Sequence, residues 1–527
     1  CSWETKRLAF RHEIPLGSRV VSTTCSRSPR PSATTFARAC GVAWSSSFPS
    51  HGSPSRPRQR SSGYLTVPND EASRTPGTAL SRPVAMNVRR LTQVPSIVLM
   101  TAFFAFFASC YDQFLDAKGR LPFLSVYLFL WGLATMTVVT IVRATASEHE
   151  RARVIAFYRA NVAVLAPLAA WVFSSFLGAF VTTANLDEGP RYVLYPAYNA
   201  TLIILSMLLP FQEHHRKWMR WYLGVAFVLA AGSVFVDVIR PATFSFLPDR
   251  AAGFARNPNG AGFLLVTLCC ALIVFDRVRV TDLAVLAVTV LGVIATLSRG
   301  GMILLAFVIC CYVPCVVRDA MRRGPRVIIM RLVALVVLVA GTYGAITQLI
   351  GQRMFSGRGS RVDMLLGKER VVGPRENRVE IVKESWEMVL DSPWLGYGSG
   401  YTMGMKEGPH NMYVSRWLDN GIPGIASYLW LLTAAGLLFW RRRYLPGLVF
   451  MGVVVLEGFF SHNLLDERAF VLLLGVLLSL SMFKTGEPAM AVQRSRRSSP
   501  TLGLPARPTD LRDAAVGLHS LGSPRSR

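Results

Sequence analysis

The sequence predicts an all-α polytopic membrane protein of about twelve transmembrane helices, with a large outer loop that holds an amphipathic helix between helices 9 and 10. Three observations predict it. Apolar residues make up 51% of the 527 and charged residues only 17%, against roughly 25% charged in a soluble globular protein, and the mean hydropathy is +0.36. Apolar runs close to the roughly 20 residues of a bilayer-spanning helix recur through the middle of the chain. The longest polar interval between them, 351–419, is too apolar and too patterned for a plain linker, and connections of that length are usually functional or disordered.

Taken in order, residues 1–85 carry twelve Lys/Arg against four Asp/Glu. They are rich in Ser, Pro and Arg and lack a long apolar run, so they read as a disordered basic tail, not a secretory signal, with a faint likeness to a transit peptide. The chain begins at Cys1, and synthesis is expected to start at Met86, directly before NVRR and the first apolar segment. Residues 484–527 form a second disordered basic tail with eight Lys/Arg against three Asp/Glu. Together the tails supply half of the net charge of +26. They read as solvated segments near an anionic membrane face, and no nucleic-acid partner is expected. None of the nine Cys pairs at a metal-ligand spacing in a polar context, so those in apolar segments read as small packing residues and no metal or cofactor is expected.

Candidate spans lie near 93–111, 122–142, 160–182, 193–211, 221–239, 260–276, 281–297, 301–317 and 330–350, then 420–440, 445–461 and 468–483. This divides the chain into helices 1–9 over 86–350, a periplasmic loop over 351–419, and helices 10–12 over 420–483. With both termini cytoplasmic, Arg143, Arg216, Arg277, Arg318 and Arg441 and their basic neighbours fall inside, as the positive-inside rule requires. Two outer loops break the rule: 240–259, with Arg240, Arg250 and Arg256, and 351–419, with ten Lys/Arg. Basic residues against the prevailing bias suit an anionic ligand. Asp237, Glu457, Arg299 and His462 fall on the same side, where ionisable groups are functional candidates, although interfacial snorkelling would also account for any one of them.

Within the loop, Pro374 and Glu376 suit the first turn of a helix. Val379, Val382, Trp386, Val389 and Leu390 recur at helical spacing as its apolar face, expected at the membrane interface. Arg375 and Arg378 sit in its first turns. Pro393 ends it, and Gly396, Gly398 and Gly400 make a tight turn. His410 and Asn411 then precede the next helix. Histidine is the usual general base near neutral pH, though a lone loop His equally serves as a cap or interface residue.

These residues resemble the family of O-antigen ligases and O-antigen polymerases, bacterial membrane proteins that transfer glycans. The likeness covers roughly 250–483. It rests on Arg250 with GFARNPNGAG (253–262), SRGG (298–301), ENRVEIVKESWEMVLDSPWLGYGSG (376–400), PHNMYVSRWLDNGIPG (409–424) and the late His of GFFSHNLLDERAF (458–470). The family often has Trp where this chain has Val382. The resemblance implies a metal-independent inverting glycosyltransferase on the outer face of the bacterial inner membrane. Its donor would be a glycan on undecaprenyl diphosphate, and its acceptor lipid A-core for a ligase or another lipid-linked glycan for a polymerase.

The chemistry of the residues fits that implication. Departure of a lipid diphosphate builds negative charge, which arginine stabilises by bidentate hydrogen bonds. Arg299, Arg378 and, third, Arg250 are the candidates for the diphosphate. His410 would deprotonate the acceptor hydroxyl, while Asn259, Asn411 and His462 would complete the glycan pocket. The HN pair before a Gly-rich helix start leans toward a ligase, with polymerase as the alternative. A metal-dependent transferase would use Asp112 and Asp116, but no Asp-x-Asp pair occurs there. A transporter or flippase would place charge along the whole membrane path, and segments such as 332–346 carry none.

Overall fold

A computed structural model describes residues 82–324 and 378–484, less gaps at 120–123, 147, 182–188, 212, 248–249, 276–277, 406 and 462–463, with a few isolated positions between 326 and 344. The expected tails, most of the apolar run at 330–350, the loop arginines Arg353 to Arg375 and His462 lie outside the described residues.

Every described element is helical. In chain order they are α1 (Arg82–Phe107), α2 (Tyr111–Ala117), α3 (Leu124–Ala146), α4 (Glu148–Val181), α5 (Gly189–Leu208), α6 (Glu213–Ile239), α7 (Pro258–Leu272), α8 (Val280–Thr296) and α9 (Arg299–Arg323). After the undescribed interval come α10 (Arg378–Asp391), α11 (Tyr401–Gly404), α12 (Met412–Arg441), α13 (Leu445–Glu457) and α14 (Arg468–Lys484). One large apolar core joins α1, α4–α9 and α12–α14. Its centre is α7, which is buried along nearly its whole length against α6, α8, α9, α13 and α14. A helix apolar on every side is stable only when covered on every side.

The expectation of about twelve transmembrane helices is corrected. Among the described residues, four helices are long and apolar enough to cross a membrane: Glu150–Phe180, His215–Ile239, Arg299–Arg323 and Met412–Arg441. A fifth is added if Val94–Phe107 and Tyr111–Ala117, bent by 55° at their junction, count as one span. Six further apolar helical stretches, Leu130–Thr145 within α3 and Leu194–Leu208 within α5 among them, are only 10–17 residues long. Helix α7, with 15 residues, rises about 22 Å against a hydrocarbon core of about 30 Å.

The reason is local punctuation. The apolar run at 260–276 is cut by the Asn257 cap and Pro258 on one side and by the extended backbone of Ile273 on the other. That at 281–297 ends on a left-handed Leu297, and that at 445–461 yields a 13-residue helix that stops at Glu457. Hydropathy scores a helix buried in protein as highly as one facing lipid. The chain remains a multi-pass α-helical membrane protein, but the alternation of inner and outer loops derived from twelve crossings loses its basis.

Helix α10 falls within the expected amphipathic segment, with a different face turned inward. Ser385 and Val389 are buried, and Val389 packs with Val414 and Leu418 of α12. Trp386 meets Trp417 edge to face at 5.5 Å yet stays 43% exposed, and Leu390 is 62% exposed. The partner of α10 is thus the start of α12.

Candidate functional site

One half of the site is a corner between α6, α7 and the α8–α9 hairpin. Asp237, buried near the end of α6, accepts four backbone N–H groups: Phe244 at 2.7 Å, Ser245 at 3.0 Å, Ala252 at 3.1 Å and Gly253 at 2.8 Å. A carboxylate so occupied folds the connection back onto its own helix. Gly253, at φ +55°, closes the approach, because a Cβ there would overlap Ser233 Oγ and lie 2.8 Å from the Val234 nitrogen. Asp237, a functional candidate by sequence, is therefore a structural staple.

The staple sets Arg250, whose guanidinium faces the end of α8. Its Nε donates to the Thr296 carbonyl at 3.0 Å, and its Nη2 to the Leu297 carbonyl at 3.3 Å and to Asn259 Oδ1 at 3.0 Å. A cation on the last carbonyls of a helix satisfies orphan acceptors and complements the dipole. Asn259 Oδ1 also accepts Ser298 Oγ at 3.1 Å. Ser298 in turn caps α9 by accepting the Gly301 N–H at 3.1 Å. Gly262 and Gly301 face each other so closely that a Cβ on Gly262 would lie 3.4 Å from the Gly301 Cα. The N-termini of α7 and α9 are thereby locked side by side. Arg299, the first residue of α9, is exposed.

The other half is the start of α12, which is two helices. Gly421 breaks it at φ 61°, ψ −153°, and Pro423 brings no N–H to repair the ladder. The turn after α10 fills the break. Ile422 N–H donates to the Pro393 carbonyl at 3.0 Å, and Tyr397 N–H donates to the Leu418 carbonyl at 2.7 Å. Trp417 Nε1 donates to the same Pro393 oxygen at 3.0 Å. Gly396 and Gly421 are both at positive φ, where a side chain would overlap the Leu418 and the Trp394 carbonyl respectively. The PWLGYG and GIPG stretches, read separately in the sequence, are two sides of one joint. Asp419 extends it by accepting Thr402 N–H at 2.8 Å and Thr402 Oγ1 at 3.1 Å. Ser399 Oγ reaches the Ser175 carbonyl of α4 at 2.6 Å.

The first segment of α12 begins just after His410 and Asn411. His410 is half-buried at φ 47°, a left-handed backbone in which His, Asn and Asp are enriched among non-glycine residues. Asn411 is the N-cap: its Oδ1 accepts Tyr413 N–H at 3.0 Å and Val414 N–H at 3.2 Å. Arg378 is the first residue of α10, about 12 Å along that helix from Trp386. The Arg378 side chain lies outside the described residues.

One turn touches both halves. Gly458, Phe459 and Phe460 follow the end of α13. The Met412 N–H donates to the Gly458 carbonyl at 2.7 Å, and Tyr413 Oη donates to the Val455 carbonyl at 2.9 Å. The Tyr413 and Phe459 rings lie 4.9 Å apart. On its other side, Phe460 covers Gly300, where a Cβ would lie 3.5 Å from the ring. The residues after Arg299 and after Asn411 thus share a neighbour that sequence reasoning passed over, since nothing in GFF marks it.

Farther on, Asn199 Nδ2 donates to the Leu465 carbonyl at 2.8 Å and Gln113 Nε2 to Glu467 at 3.0 Å. Arg468 pairs with Asp112 at 2.6 Å and Asp116 at 3.4 Å. The two aspartates weighed as metal ligands are the partners of this arginine.

A model of the O-antigen ligase family matches residues 284–429, rather more than a quarter of the chain. The match takes in Arg299, Arg378, His410 and Asn411, and stops short of Arg250, Asn259 and the turn after α13. No curated protein matches the chain. The residues that carry α8, the exposed Arg299 and the joint at Gly421 form an O-antigen ligase family domain.

Proposed function

We propose that this protein transfers a glycan from undecaprenyl diphosphate to an acceptor sugar hydroxyl on the periplasmic face of the bacterial inner membrane, as an O-antigen ligase acting on lipid A-core. The family domain supports glycan transfer of the ligase or polymerase type. The observation that carries the finer reading is that the N-termini of α9 and α12, bearing Arg299 and the His410–Asn411 pair, adjoin one turn. Helix N-termini favour anions through the dipole, and α7 adds a third beside α9.

In this reaction His410 takes the proton of the acceptor hydroxyl. The oxygen attacks the anomeric carbon of the donor from the side opposite the diphosphate, a new glycosidic bond forms, and the bond from carbon to phosphate oxygen breaks with its electron pair leaving on the diphosphate. Arg299 meets that growing charge, with Arg378 as the second cation. Arg250, engaged by the carbonyls of α8, holds the hairpin that presents Arg299. Asn259 and Asn411 likewise shape the pocket through the helix starts they order, and His462 contributes to binding the glycan.

His410→Ala in cells tests this. General-base removal lowers rate roughly 10²–10⁴-fold. The expected outcome is long free polymer missing only from lipid A, with lipid-linked donor accumulating on the outer face. Collapse to single repeat units would mean a polymerase, donor retained on the inner face would mean flipping, and an unchanged glycan profile would remove His410 from the mechanism.

A further inference from the structure

We propose that Phe460 is a positioning residue for transfer, a spacer that sets the gap between the Arg299 helix start and the His410 helix start. The proposal rests on the transferase reading above.

The spacer is rigid at its root. Helix α13 is anchored in the core through Phe450, Val453 and Val454, all fully buried. It fits so tightly against α9 that a Cβ on Gly452 would lie 2.7 Å or less from the Phe307 ring. Its final turn is closed by Gly458 N–H to the Val454 carbonyl at 3.0 Å, Phe460 N–H to the Glu457 carbonyl at 2.8 Å, and Ser461 N–H to the same oxygen at 2.9 Å. From this turn a backbone carbonyl holds the first N–H of α12, and an aromatic ring lies on Gly300 in the first turn of α9. Three ring and Cβ atoms of Phe460 fall 3.5–3.6 Å from the position a Cβ on Gly300 would take. That is ordinary van der Waals contact, so the pair is in register without strain. A methyl group at 300 would just touch the ring, so the ring bounds how closely the two helix starts can approach.

A second set of contacts fixes the far end of the same connection. Arg468 is held by Asp112 and Asp116, and Glu467 by Gln113. The ring at 460 carries the position of its own hydrogen-bonded turn to α9. Transfer between a fixed cation and a fixed base is sensitive to such a spacing, because a misplacement of about 1 Å remote from the chemistry costs about 10²-fold.

The test is kinetics on purified full-length protein in detergent micelles or vesicles with a lipid-diphosphate glycan donor. Phe460→Ala should lower kcat about 10–100-fold while KM for the donor stays within about threefold, since the anion-binding groups of α9 remain in place. Phe460→Leu should recover most of the loss. Gly300→Leu alone should be as defective as Phe460→Ala, and the double variant Gly300→Leu with Phe460→Ala should regain at least about tenfold, because volume restored from the opposite side rebuilds the spacer. A Phe460→Ala protein with wild-type kcat, beside an inactive His410→Ala, would overturn the spacer and leave the transferase reading standing. An active His410→Ala would instead strike at that reading. Loss in Phe460→Ala that merely follows the fraction of folded protein, with no recovery in the double variant, also overturns the spacer.

Discussion

The corner that presents Arg299 is held together by side chains, whereas the joint at Gly421, farther along α12 than His410, is held mainly by backbone. In the corner, Asp237, Arg250, Asn259 and Ser298 form a chain of polar side chains that satisfies loop N–H groups, helix-end carbonyls and a helix cap. At the start of α12, the Pro393 and Leu418 carbonyls and the amides of Ile422 and Tyr397 do the holding, and glycines at 396 and 421 make room. The two constructions answer one requirement, a helix N-terminus fixed in place. They differ in what a substitution removes: in the corner a hydrogen bond, at the joint the space the chain occupies.

The sharpest way to break the contrast is Gly421→Ala. The added methyl overlaps the Trp394 carbonyl at a backbone angle that disfavours a side chain, so stability should fall by more than about 3 kcal/mol. Thermal unfolding in detergent measures it, and a normal melting temperature would mean that the joint is not closed. Next come the two arginines of the corner, which should separate activity from stability. Arg299→Ala should cost about 10²–10³ in transfer rate with melting unchanged, as expected of an exposed side chain. Arg250→Ala should cost about 1–3 kcal/mol in stability by taking the guanidinium from the Thr296 and Leu297 carbonyls. Arg250→Lys should not restore it, since an ammonium lacks the fork that reaches three acceptors. Equal loss of rate and no loss of stability in both variants would make Arg250 a ligand-binding residue after all. The smallest effect is at Asn411, where Ala should cost about 1 kcal/mol and Ser almost nothing. An Asn411→Ser protein that folds normally but fails to transfer would instead place the amide on substrate.

Much of this arrangement was legible in local sequence. The glycine turn after Pro393 and the short link at SRGG were expected and are found, whereas the helix expected from about 420 begins at Met412, directly after Asn411, and is broken at Gly421. What could not be read was how they meet. Nothing in PWLGYG names Gly421 as its partner, and nothing in the GFF of 458–460 names Gly300, because such contacts form between segments remote in the chain. The charged residues misled for a related reason. Asp237 looks functional near the end of an apolar stretch, yet it is occupied by four backbone amides. The count of membrane crossings failed at α7, α8 and α13, where the apolar run was real but the helix was short and faced protein.

The joint at Gly421 has one more consequence, for how the protein opens. The amide of Tyr397 and the carbonyl of Leu418 complete each other, as do the amide of Ile422 and the carbonyl of Pro393. Pulling the turn away bares polar groups of the helix beside the buried Val389–Val414–Leu418 cluster, and straightening the helix expels the turn. The two segments therefore open as a single cooperative unit. A fluctuation that straightens α12 at Gly421 therefore also releases the turn that ends α10.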